Sequence, residues 1–134
     1  MYIMKHIFYL VFSVILLAGA GWNSEAKAQT TPEAIINALK TGNMDALSKN
    51  FDNMVDITIL DKQSSYSQSQ AGVVVRDFFS HNQPRNFETL HGGASGGSKY
   101  TIGNLSTSGG TYRTYIYMKS KGSGFVVQEL RFEK

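Results

Sequence analysis

Strand-like runs joined by very short links fill the C-terminal half of this chain, and they constrain its fold more than any other feature. Phe87 to His91, Tyr100 to Thr107, Tyr112 to Lys119 and Phe125 to Phe132 are the runs. Gly109-Gly110 turns between the middle two, and Gly122-Ser123-Gly124 joins the last two. Links this short make the strands antiparallel, because a parallel crossover needs on the order of a dozen residues.

The segment before them is helical in pattern. Thr31-Pro32-Glu33 reads as an N-cap, a proline at the first helical position and an acid in the first turn. Ile35, Ile36 and Leu39 form one stripe, and Gly42 with Asn43 stops the helix. Met44, Leu47 and Phe51 repeat at helical spacing and predict a second short helix. Val55 to Leu60 is β-branched and reads as a strand. Ser67 with Gln70 makes a capping box for a third helix, whose buried stripe is Ala71, Val74, Val75, Phe78 and Phe79. His81, Asn82 and Pro84 end it. The expected class is α+β: N-terminal helices packed on a curved antiparallel sheet.

The first 28 residues read as a secretory signal peptide. Lys5 and His6 precede an apolar run from Ile7 to Ala20, and Ala26-Lys27-Ala28 supplies small residues where a signal peptidase reads. The run is short of the roughly 20 residues a spanning helix needs. Cleavage after Ala28 leaves residues 29–134 as one domain, exported to the periplasm or beyond, with no membrane span. The chain has no cysteine, so disulfides, thiolate chemistry and lipoprotein anchoring are closed to it. Its net charge of +3 comes from scattered residues, not a basic run, which argues against nucleic-acid binding.

This order of elements resembles the cone-shaped fold of the nuclear transport factor two-like superfamily, a cystatin-like arrangement. More closely, the chain resembles an uncharacterised family of exported bacterial proteins, a domain of unknown function. The likeness covers Pro32 to about Glu133. It rests on Ala38-Leu39-Lys40-Thr41-Gly42-Asn43, Ile59-Leu60-Asp61, Asp77-Phe78-Phe79, His91-Gly92, Tyr112-Arg113 and Leu130-Arg131-Phe132. It implies a fold and no particular activity. In this fold the helices often leave a pocket over the concave sheet face, and the outer face is often a dimer interface. The superfamily includes enzymes, ketosteroid isomerase among them, that place an Asp, His or Tyr inside the cone.

Strand parity assigns side chains to faces. Tyr112, Thr114, Ile116 and Met118 share one face, opposite Arg113, Tyr115, Tyr117 and Lys119. Val126, Gln128, Leu130 and Phe132 share another, opposite Phe125, Val127, Glu129, Arg131 and Glu133. The rows with charges should face water. Gln128 then stands in an inward row, where a buried amide either bonds neighbouring backbone or faces a cavity. By the same parity His91 joins Phe87 and Thr89, so it either looks into the cone or ends a strand against the glycine-rich stretch. Asp56 and Tyr112 are its candidate catalytic companions, and Gln128, His91 and Tyr112 are candidate ligand contacts. Arg113, Tyr115 and Tyr117 form a candidate interface, with self-association favoured over a foreign partner.

Other motifs lack their context. Gly93-Ala94-Ser95-Gly96-Gly97 matches a nucleophile elbow, and Gly92 to Lys99 imitates a phosphate loop, but a strand-like run follows where both need a helix. Asp52, Asp56 and Asp61 lack the spacing of a calcium loop, and no histidine pair has metal-ligand spacing. No metal or other cofactor is expected. The reading is an exported, non-enzymatic domain that binds a small apolar ligand or an envelope protein. A small acid–base isomerase or lyase, and a dimeric structural accessory module, are the alternatives.

Overall fold

A computed structural model describes residues 30–134. The expected signal peptide lies outside the described residues. The elements are α1 (Pro32–Thr41), α2 (Met44–Lys49), β1 (Phe51–Ile59), β2 (Lys62–Ser67), α3 (Gln68–His81), β3 (Pro84–Ser95), β4 (Ser98–Thr107), β5 (Gly110–Lys121) and β6 (Gly124–Glu133).

Local chemistry sets the helix ends. The Thr31 hydroxyl accepts from the Ala34 amide at 3.1 Å, with Pro32 at the first helical position. Gly42 takes φ 69° and lets the Asn43 amide reach Ala38 O at 2.9 Å. The Ser67–Gln70 capping box of α3 is formed in both directions. The second helix is shorter than expected. It stops at Lys49, and Phe51 opens β1 with its ring in the core. Asn50 makes the reversal, donating from its side-chain amide to Ala46 O at 2.7 Å.

One curved sheet runs in the order β2-β1-β6-β5-β4-β3. Every neighbouring pair is antiparallel except β1–β6, which is parallel. The expectation of a wholly antiparallel sheet is corrected at that pair. Hairpin links dictate direction only between sequence neighbours, and β1 reaches β6 from the other end of the chain. β2 was not expected at all. Its Lys-Gln-Ser-Ser sequence has little strand propensity, and it forms because β1 offers it a partner across the Leu60-Asp61 turn.

The three helices cover one face of the sheet and fill the space above it. Ile35 and Leu39 of α1, Leu47 of α2, and Val75, Phe78 and Phe79 of α3 meet Val55, Ile57, Ile116, Leu130 and Phe132. An aromatic knot sits at the centre, with Phe78 at 4.6 Å from Phe132 and at 5.1 Å from Tyr112, edge to face. Among the described residues no helix is long and apolar enough to cross a membrane.

Candidate functional site

Two β-bulges decide where the candidate residues point. The β3–β4 register slips between Thr89 and His91, with Leu90 as the extra residue. Phe87 and Thr89 therefore face the helices, while His91 pairs with Ile102 on the outer face. Of the two readings of His91, the one that turns it into the cone with Phe87 and Thr89 is corrected by that one inserted residue. A second slip lies between Tyr117 and Met118 against β6. It turns Phe125 and Val127 inward and puts Gln128 beside Glu129 on the outer side, the reverse of simple parity. Gln128 bonds neither backbone nor cavity. Its amide donates to Asp52 Oδ2 at 3.0 Å.

The acid–base candidates are not brought together. Tyr112 is buried in the core, and its hydroxyl donates to Asn82 Oδ1 at 2.8 Å, tying β5 to the end of α3. His91 lies on the opposite side of the sheet. Asp56 shares that outer side but accepts from the Ser65 hydroxyl, with β6, β5 and β4 between its strand and that of His91. Four strand spacings separate the two by about 19 Å. The three groups form no common site.

Asp52 has the most perturbed carboxylate. The Gln128 amide, then the Lys121 ammonium at 2.8 Å, then the Asn53 backbone amide hold its pKa at about 2. This cluster pins the bulged end of β6 to the start of β1, whereas the sequence weighs Asp52 only as a calcium ligand whose spacing is wrong. Because Gln128 and Lys121 reach it only through the bulge, neither spacing nor parity foretells the contact.

What the outer face does bring together is a row of rings and charges. His91 meets Tyr100 edge to face at 6.3 Å, and Tyr100 stacks on Tyr115 at 6.1 Å. The Arg131 guanidinium lies over the Tyr115 ring at 5.1 Å and also bonds Glu129. Tyr117 stands opposite both Tyr100 and Glu129. Burial first, and then the Glu129 carboxylate, raise the pKa of the Tyr115 phenol. Arg113, Tyr115 and Tyr117 do share this face, and it extends to Tyr100 and Arg131. Tyr100 is the member that sequence reading left unassigned, although its alternation with Ile102 in β4 carries the signal.

The stretch from Gly92 to Ser98 is the tip of the β3–β4 hairpin, turning at Gly96-Gly97 directly into β4. No helix follows, so neither the nucleophile elbow nor the phosphate loop has its frame.

These features define the class. Three helices over one face of a curved six-stranded sheet is the NTF2-like architecture. An NTF2-like protein of unknown function from Cytophaga hutchinsonii superposes with a TM-score of 0.57 at 14% identity, over 79% of this chain and 91% of its own. The chain belongs to the DUF4783 family, a domain of unknown function, whose profile matches residues 32–133. A DUF4783 family protein from Bacteroides uniformis superposes with a TM-score of 0.73 at 29% identity, over 77% of this chain and 95% of its own. One from Bacteroides ovatus gives a TM-score of 0.74 at 25% identity, over 79% of this chain and 96% of its own. No curated protein matches the chain.

Proposed function

We propose that this chain is an exported, non-enzymatic interaction domain that pairs with a second copy of itself through the outer face of its sheet. The supporting observation is the ring row from His91 through Tyr100 to Tyr115, capped by Arg131. Large rings packed on one another beside an arginine are the composition of an interface centre. The charges around it favour a like copy. Arg113 stands opposite Glu133, and Arg131 lies beside Glu129, so both signs lie on one face. A two-fold axis that passes between the two signs sets each against its opposite. The centre of the helix-covered side supports the same reading, because Phe78, Phe79, Phe132 and Tyr112 pack together there. The secretory pattern of the first 28 residues is what supports export.

Four strands by about six residues give a face of roughly 20 Å by 20 Å. That is small for a permanent dimer, so the association should be reversible and concentration-dependent. Sedimentation equilibrium of the purified protein should show a monomer–dimer equilibrium. Tyr115→Ser with Tyr117→Ser should move it to monomer without unfolding the chain. A wild-type protein that stays monomeric at every concentration defeats the reading.

A further inference from the structure

We propose that the cleft between α1 and the β3–β4 hairpin binds a small amphiphilic anion, a carboxylate carried on an apolar tail. The cleft has a volume of about 420 Å³. That lies within the range of small-molecule sites. It sits on the helix-covered side of the sheet, away from the proposed interface, and none of His91, Tyr112 or Gln128 lines it.

Its floor is apolar and fixed. Phe87 is 7% exposed, and Ile36 packs against the same core. The Phe87 ring lies over Gly103, where even a Cβ would collide with it, so the ring has a built seat. Its rim is cationic, with Lys40 from the last turn of α1 and Lys99 from the start of β4. Lys99 is the anomaly. It stands in the helix-facing row of β4, whose next members Thr101, Gly103, Leu105 and Thr107 are all buried. A core row cannot keep an unpaired ammonium, so the stem lies along the cleft and the head reaches Glu33 at 3.4 Å. Both partners are open to solvent, so that pair is weak and exchangeable.

One carboxylate therefore lines the cleft against two lysines. An incoming carboxylate can replace Glu33 on Lys99 and draw on Lys40, while its tail covers Phe87 and Ile36. Inorganic phosphate would leave the apolar floor bare. A neutral apolar molecule would leave the lysines unanswered. The charge and the floor together select the amphiphile.

The test is an amide NMR titration of the purified protein with octanoate, with octanol as the uncharged match. Octanoate should give saturable shifts centred on α1 and the β3–β4 hairpin, with a Kd on the order of 1 mM. Octanol should bind about 5-fold more weakly, Lys99→Gln should weaken octanoate by a similar factor, and Lys99→Arg should restore it. The Lys99 head is open to solvent and its pair with Glu33 is weak, so the melting temperature of both variants should stay close to wild type. Shifts that never saturate, or that centre on another region, overturn the site. Equal binding of octanol overturns the anion. Unchanged octanoate affinity in Lys99→Gln overturns the assignment of the charge. None of these outcomes depends on whether the protein dimerises.

Discussion

The two faces of the sheet are built from similar residue types and do different work. The helix-facing side carries Ile57, Ile116, Leu130 and Phe132, each no more than 1% exposed. The outer side carries Tyr100, Tyr115 and Tyr117, half-buried against one another and against Arg131. Aromatic rings occur on both. Inside, Phe132 of β6 interlocks with Phe78 and Phe79 of α3 above it. Outside, no described element lies over the rings, and they cover only their neighbours. An interior ring is held by packing density, whereas an outer ring is held by pairwise contacts and keeps a free side. That contrast separates the part of the molecule that specifies the fold from the part that offers a surface.

Stability measurements should reproduce the contrast. Phe132→Ala should lose about 3–5 kcal/mol in urea unfolding, since a fully enclosed ring leaves a cavity. Phe132→Leu should lose less and keeps the comparison measurable if the alanine variant does not fold. Tyr115→Ala should lose only about 1 kcal/mol, the worth of cross-strand and aromatic pairs on an open face. Equal losses at the two positions would break the distinction.

Asp52 gives the next largest effect, and its sign is fixed by linkage. The carboxylate titrates at about 2 in the folded state against 3.8 in its ordinary state. Its contribution is complete above pH 3.8 and fades as pH falls toward 2. Asp52→Asn should therefore be less stable at neutral pH by about 1–2 kcal/mol, allowing for solvent screening. The two proteins should converge only once the pH has fallen below about 2. A gap that persists at low pH would show that Gln128 and Lys121 do not act through the charge.

A smaller effect belongs to Tyr112. Tyr112→Phe removes the hydroxyl that reaches Asn82 but keeps the ring against Phe78. A loss of about 1 kcal/mol is expected by thermal or urea unfolding. No loss would mean that water satisfies Asn82 equally well.

Much of this architecture is legible in the chain. Thr31-Pro32, Gly42 and the Ser67–Gln70 box mark helix ends because each satisfies backbone groups within a few residues of itself. The Gly122-Ser123 turn is equally local, and so is the β4–β5 turn, which falls one residue before the expected glycine pair, at Ser108-Gly109. The parallel β1–β6 pair is not, since nothing near either strand encodes the other. β2 is invisible for the same reason, as its residues are strand-like only beside β1. The site residues were lost at the bulges. Parity has period two, so a single extra residue at Leu90 moves His91 to the other face, and the slip beside Gln128 inverts the start of β6. The row from Arg113 to Lys119 has no bulge within β5's pairing to β4, and its faces follow parity directly.

The most direct measurement is hydroxyl-radical footprinting at a series of protein concentrations. Oxidation of Tyr115 and Tyr117 should fall as concentration rises, while Val73, exposed on α3 on the other side of the sheet, should stay equally reactive. Unchanged reactivity of both tyrosines across the series, or protection that appears at Val73 instead, would contradict the assignment of the outer face as the surface this domain binds with.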